Sequence, residues 1–391
     1  MEPDINKLTS EAVQLLKEII AIPSPSFYEE AVCDHVSAWM TDKGIAHERV
    51  GNNIIAEYIA DKDGTTLMFC AHLDTVGASP DYSFDPYNPD YQKAAEVISR
   101  IRNCETDASE IVAGLGSNDD GASAVAMLAA FRYLSSRKME KSPYLLGSNL
   151  ILVLSCEEER SGKNGMTELW KSRFRNLDES EEGYSLINFA IVGEPTGMKA
   201  AVAERGLLVI DATAHGVSGH AARNEGVNAL YTAMEDIDKL RRHEFSKISP
   251  SMGKVNLNVT QINAGTAHNV IPDRCDFVID IRPTEQYDNE EILKELQGIC
   301  KSELKARNLA NRSSATEGDS LLRRIAEENS IDTFTSPTTS DWMRIRCDAI
   351  KMGPGDSSRS HKKDEYVLVS EIAEGIKTYI EFFERYEHIM E

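Results

Sequence analysis

Four polar clusters could do chemistry in this chain: His72-Leu73-Asp74, Asp119-Asp120, Glu157-Glu158-Glu159 and Glu194. Each stands just after a short apolar run or in the turn that follows it, and a fifth candidate, His361, lies far downstream in GPGDSSRSH. Carboxylates gathered in one place repel one another and take up protons unless a cation sits among them, so the set asks for a metal. Histidine and carboxylate with no cysteine nearby suit zinc, cobalt or manganese better than an all-oxygen calcium site. If His72, Asp119, Glu158, Glu194 and His361 are the ligands, two dications balance three carboxylates and a shared hydroxide. Asp74 lies two residues after His72, so on an extended segment both side chains point the same way and the carboxylate can fix the imidazole. Adjacent Glu157 and Glu158 should diverge, leaving one to bind metal and the other to act as a base.

Other readings of these residues are weaker. Asp119-Asp120 before a helix could serve as an N-cap. Gly114-Leu115-Gly116 imitates a phosphate loop, but the next glycine is Gly121, no Lys-Ser/Thr follows, and two aspartates occupy the place of the phosphate.

The clusters need elements to bring them together. Residues 8–20 repeat apolar positions at helical spacing until Pro23 and Pro25. Apolar runs at 53–59, 66–71, 150–155 and 189–193, with a long helix opening at Gly121, read as buried strands alternating with helices. The expected fold is α/β with a mostly parallel sheet, whose strand ends line one crevice where ligands bind. From about Gly206 the strands alternate in polarity and are interleaved with helical patterns at 228–241 and 290–305. This predicts an inserted α+β unit over 206–310 within a discontinuous first domain formed by 1–205 and 311–391. The stretch from Pro80 to Val112 reads as a surface excursion.

Bulk composition bounds the rest. A chain of 391 residues predicts about two domains. Its 64 acidic against 42 basic residues give a net charge of −22, which repels nucleic-acid backbones and anionic membranes. The opening Met1-Glu2-Pro3-Asp4 lacks a basic, apolar leader and no stretch has the length of a membrane span, so a cytoplasmic protein is expected. Seven scattered cysteines at no two-residue spacing argue against a disulfide framework or a cysteine zinc cluster.

Taken together, AHLDTV, GLGSNDDGAS, SCEEE, VGEPTG, GVSGHAARN and GPGDSSRSH strongly resemble the dinuclear zinc family of acetylornithine deacetylase, succinyl-diaminopimelate desuccinylase, aminoacylase and the glutamate carboxypeptidases. The resemblance runs in order over nearly the whole chain. It implies a zinc-peptidase-like catalytic domain and an inserted lid that dimerises through its sheet. Two zinc ions are implied, with cobalt or manganese as possible substitutes: His72 and Glu194 as terminal ligands of one, Glu158 and His361 of the other, and Asp119 bridging. By the same resemblance Asp74 supports the histidine, Glu157 is the general base, and His220 reaches the active site of a second subunit of a homodimer. Arg205, Asn269, Arg282, Thr339, Ser340 and Gly355 become candidates for holding the substrate, and the Asp119–Asp120 peptide bond is expected to be cis. GLGSNDDGAS, VGEPTGM, SGHAARNEGVNA and MGPGDSSRSH look most like the arginine-pathway branch that deacylates N-acetylornithine, N-acetylcitrulline or N-succinyl relatives. Leu115 and Asp120 depart from the family's usual residues, as does the 80–112 excursion. The rivals are a dipeptidase or aminopeptidase on the same scaffold and a non-catalytic dimeric amino-acid-binding relic.

Overall fold

The computed structural model describes residues 2–61, 64–140, 148–174, 187–223 and 225–390. The chain packs as two compact units, one of Met1–Val202, Thr316–Phe334 and Ser340–Glu391, the other of Ala203–Ala315 and Thr335–Thr339.

In chain order the first unit opens with α1 (Ile5–Ile20), α2 (Glu30–Asp42), β1 (Glu48–Val50), β2 (Asn53–Tyr58) and β3 (Thr66–His72). It continues through α3 (Tyr91–Arg102), β4 (Ile111–Ala113), α4 (Gly121–Glu140), β5 (Asn149–Ser155), α5 (Met166–Ser172), β6 (Phe189–Val192) and β7 (Ala200–Glu204). The second unit contributes β8 (Leu208–His215), β9 (Gly219–His220), α6 (Ala229–Arg242), β10 (Asn256–Ala264), β11 (Val270–Ile271), β12 (Arg274–Arg282), α7 (Asn289–Ile299), β13 (Glu303–Ala306) and β14 (Ser314–Ala315). The chain then passes through α8 (Leu321–Glu328), β15 (Thr333–Ser336), β16 (Asp348–Lys351) and β17 (Tyr366–Leu368) to α9 (Val369–Met390).

The main sheet runs β1-β2-β5-β3-β6-β16-β7. Its centre, β5-β3-β6-β16, is parallel, and β2 and β7 add antiparallel. All seven residues of β3 and of β5 are buried, as continuous apolar strands covered on both faces must be. Helix α1 is capped by Asp4, whose side chain accepts from the Lys7 N–H at 3.1 Å, and it buries Ala12, Leu15, Leu16, Ile19 and Ile20 on one face. It packs with α4 and α9 into the core that covers one side of the sheet.

Two expectations change. The unit boundaries fall at 202/203 and 315/316 rather than 205/206 and 310/311, because Ala203 and Glu204 at the end of β7 pair with Ala315 and Ser314. The 80–112 stretch is more than a surface excursion. Phe84, Ala94, Ala95, Ile98, Ile111, Ala113 and Tyr366 form a small core of its own, and β4 pairs antiparallel with β17.

The second unit is an antiparallel sheet in the order β10-β12-β8-β13. Leu208, Ile210, Ala212 and Ala214 of β8 and Cys275, Phe277, Ile279 and Ile281 of β12 alternate inward beneath α6 and α7. Strand β10 stands at the edge with Ile262 exposed, and α6 turns Tyr231 and Met234 to solvent. Among the described residues no helix is long and apolar enough to cross a membrane.

Candidate metal centre

The polar clusters converge at the carboxyl ends of the central strands. His72 ends β3, the Glu157–Glu159 segment follows β5, Glu194 follows β6, Asp119 lies in the turn before α4, and His361 stands in the loop after β16. Ligand atoms of His72, Asp119 and Glu194 lie within 4.8 Å of one another, and so do those of Asp119, Glu159 and His361. Asp119 belongs to both groups: its Oδ1 is 3.3 Å from His72 Nε2 and its Oδ2 is 3.6 Å from His361 Nε2. The Asp119–Asp120 peptide bond is cis, as the family resemblance implied.

The glutamates sit one residue later than expected. His361 Nε2 meets Glu159 Oε2 at 2.9 Å, so the second group contains Glu159 and not Glu158. Nor is Glu157 a free base. Its carboxylate accepts from the Asn164 backbone at 3.0 Å and from Asn164 Nδ2 at 2.6 Å, and points away into the turn. The error lies in assuming that strand alternation continues past Ser155. Glu157 has φ of 60° and residues 158–160 form a 3₁₀ turn, so the extended rule stops there. Glu158 is left with a carboxylate that makes no hydrogen bond among the described residues, acted on by the charges of His72, Glu194, Asp341 and Glu159.

The supporting contacts also differ in detail from expectation. His72 Nδ1 donates to the Asp74 carbonyl at 2.9 Å, with the Asp74 carboxylate 3.5 Å away. That carboxylate chiefly holds the glutamate turn, accepting from the backbone N–H of Glu158 at 3.0 Å and of Glu159 at 3.1 Å, and from Ser26 Oγ at 2.7 Å. Two buried carboxylates that sequence reasoning missed do similar work. Glu29 accepts from the Glu157 N–H at 3.1 Å, and Glu365 accepts from the N–H groups of Gly116, Asn118 and Asp119. Buried Asp341 accepts from Ser155 Oγ at 2.6 Å. Only their placement in a fold shows these roles, since isolated acidic residues carry no spacing signal.

Electrostatics favour a cation here. Burial pushes Glu158 and Glu194 well above the ordinary glutamate range and raises Glu159. It also pushes Asp120 up to about 7, Asp341 to about 6 and Glu365 to about 8. So many acids cannot be ionised together without compensating positive charge. His72 Nε2 is buried with no hydrogen-bond partner among the described residues, beside Asp119 and Glu194, as a metal-ligating nitrogen would be. The residues therefore fit a pair of divalent cations.

The expected substrate-binding residues are placed less uniformly. Gly355, at φ of 91°, has no room for a side chain: a Cβ there would collide with Asn118 Oδ1, which accepts from the Asp356 N–H at 2.9 Å. Ser340 is buried and caps the turn at Trp342. Thr339, half-buried, ends the segment assigned to the second unit. In that unit, Arg205 donates to the carbonyls of Lys254 at 2.9 Å, Arg282 at 3.2 Å and Met252. Arg282 makes two hydrogen bonds to Asp280, at 2.9 and 3.1 Å. Both guanidinium groups thus already have partners within the second unit. His220 and Asn269 are exposed at the antiparallel β9–β11 pair, where the Ala221 N–H donates to the Asn269 carbonyl at 3.1 Å.

Comparison with known proteins agrees with this geometry. A peptidase dimerisation domain matches residues 202–308 and peptidase family M28 matches residues 53–237. The chain is 24% identical over 383 residues to a succinyl-diaminopimelate desuccinylase of Corynebacterium glutamicum, covering 94% of each chain. It is 27% identical over 247 residues to an acetylornithine deacetylase of Myxococcus xanthus, covering 58% of this chain and 62% of the other. A dinuclear metal-binding M20 peptidase of Bacillus subtilis superposes with a TM-score of 0.67 at 14% identity, covering 98% of both chains. The chain is thus similar to metal-dependent peptidases and amidohydrolases of the M20 and M28 families, and residues 202–308 match their dimerisation domain.

Proposed function

We propose that the protein is a two-zinc amidohydrolase that removes the acyl group from the α-nitrogen of a small amino acid, with N-acetylornithine, N-acetylcitrulline and their N-succinyl relatives as substrates. The observation that carries this reading is the pair of three-residue groups sharing Asp119, with Glu158 left unbonded beside them. His72 and Glu194 would hold one ion, Glu159 and His361 the other, and Asp119 both. Two bound dications would polarise the amide carbonyl and acidify the attacking water. Glu158 takes the proton from that water as its oxygen bonds to the carbonyl carbon, and delivers it to the leaving nitrogen as the C–N bond breaks. The products are a free amino acid and a carboxylate. Asp74 keeps Glu158 and Glu159 apart and in place through their backbone N–H groups.

The names of the similar desuccinylase and deacetylase support an acylated amino acid, and the motifs shared with the arginine-pathway branch support ornithine or citrulline. Purified, zinc-loaded protein assayed against N-acetyl and N-succinyl forms of ornithine and citrulline, beside dipeptides bearing a free α-amine, tests the reading. Hydrolysis of at least one acylated substrate and none of the dipeptides is expected; the reverse pattern makes it a dipeptidase. The exposed β10 edge and the apolar Tyr231 and Met234 of α6 support a homodimer, in which His220 of the partner subunit would stabilise the developing oxyanion. Mixing inactive His220→Ala with inactive Glu158→Gln protein should then restore activity once subunits exchange. If exchange is shown and none returns, His220 does not act across the dimer.

A further inference from the structure

Glu365 has no part in the chemistry above, yet it is among the most deeply enclosed carboxylates of the first unit, with 2% of its surface exposed. Its Oε1 accepts from the backbone N–H of Asn118 at 2.9 Å and of Asp119 at 3.0 Å, and its Oε2 from that of Gly116 at 3.2 Å. Its own carbonyl accepts from the Gly114 N–H at 3.0 Å. One side chain thus gathers three N–H groups of the short turn that ends in Asp119, the residue whose two oxygens face the two ligand groups. All three partners are donors. A carboxylate can satisfy them all, whereas an amide of the same shape would set its own NH₂ against one or more of them. The following residue, Tyr366, begins β17 and pairs with Ala113 of β4, so the carboxylate is delivered from a fixed strand.

We infer that Glu365 is a positioning residue that fixes the main chain carrying Asp119, and so sets the affinity of both metal positions together; this rests on the two-metal reading. It does not act as a base, because its oxygens are occupied by the turn. Neighbouring Asp364 provides the control. Its carboxylate holds Ser83, accepting from the backbone at 2.6 Å and from Oγ at 2.8 Å, with no hydrogen bond to residues 116–119.

The test is titration of metal-free protein with Zn²⁺ against a competing chelator, for wild type, Glu365→Gln, Glu365→Asp and Asp364→Asn. Both ions should bind about 10–100-fold more weakly in Glu365→Gln, the usual consequence of removing a group that orients a ligand. Glu365→Asp should weaken both by less, and Asp364→Asn should leave both affinities unchanged even if its Tm falls. Two ions held by Glu365→Gln as tightly as by wild type, or the loss of one ion alone, overturns the inference. If Glu365→Gln does not fold, Glu365→Asp is judged by the same criterion: wild-type affinity at both positions overturns the inference. A wild type that takes up fewer than two ions overturns the two-metal reading and the inference with it.

Discussion

The two halves of the metal centre share Asp119 but differ in their surroundings. The His72 side is closed, with a 3% exposed imidazole whose other nitrogen is tied to a backbone carbonyl. The His361 side is open: its imidazole is 55% exposed and is held by Glu159. Burial of His72 and Asp119 makes the first half costly to leave empty, because the unpartnered imidazole nitrogen has no water to turn to. The second half is open to solvent. On the two-metal reading, the buried half would hold the anchored ion and the open half the more readily exchanged one.

The strongest way to break this comparison is to remove what the halves share. Asp119→Ala should lose both ions and reduce activity to background, read by metal analysis after dialysis. Retention of one ion at full occupancy would mean that the halves are independent. Single-side variants sharpen it. His361→Ala should lose only the open-side ion, and in wild type a chelator should strip one ion well before the other. Simultaneous loss of both ions from His361→Ala would contradict an anchored half.

A smaller effect concerns the metal-free protein. Glu158, Glu194, Asp120 and Glu365 are all held above their ordinary range by burial, with Asp120 at about 7 and Glu365 at about 8. The folded chain then binds more protons than the unfolded chain between the ordinary carboxylate range and about pH 8, so its stability must fall as pH rises through that window. Thermal unfolding with chelator should show Tm dropping from mildly acidic to mildly alkaline pH, and two bound ions should flatten the slope. A metal-free Tm that rises over that window would remove the electrostatic argument for a cation.

Much of this was legible in the chain. Continuous apolar runs marked β3, β5 and β6, and the polar residues just beyond them marked the site, because a parallel sheet gathers its strand ends. What failed was local. Three consecutive glutamates offer no pattern of their own, and the direction of each depended on a left-handed residue at Glu157. The signal was further along, in Gly162 and Gly165. Side chains at those positions would run into the Glu157 carboxylate and the Cys156 carbonyl, so the two glycines marked a tight turn that folds Glu157 away from the site. Arg205 and Arg282 give a different lesson: a cation on a strand is read from sequence without its backbone and carboxylate partners, which only the fold shows.

The central claim is that Glu158 moves the proton while Glu159 binds metal and Glu157 does neither. Metal content and activity of Glu157→Gln, Glu158→Gln and Glu159→Gln, measured side by side, test it most directly. Glu158→Gln should keep both ions and lose about 10²–10⁴-fold in kcat, the range for a positioned general base. Glu159→Gln should lose the open-side ion, and Glu157→Gln should retain both ions and most of its activity. Two retained ions with collapsed kcat in Glu157→Gln, and loss of an ion in Glu158→Gln, would contradict the account.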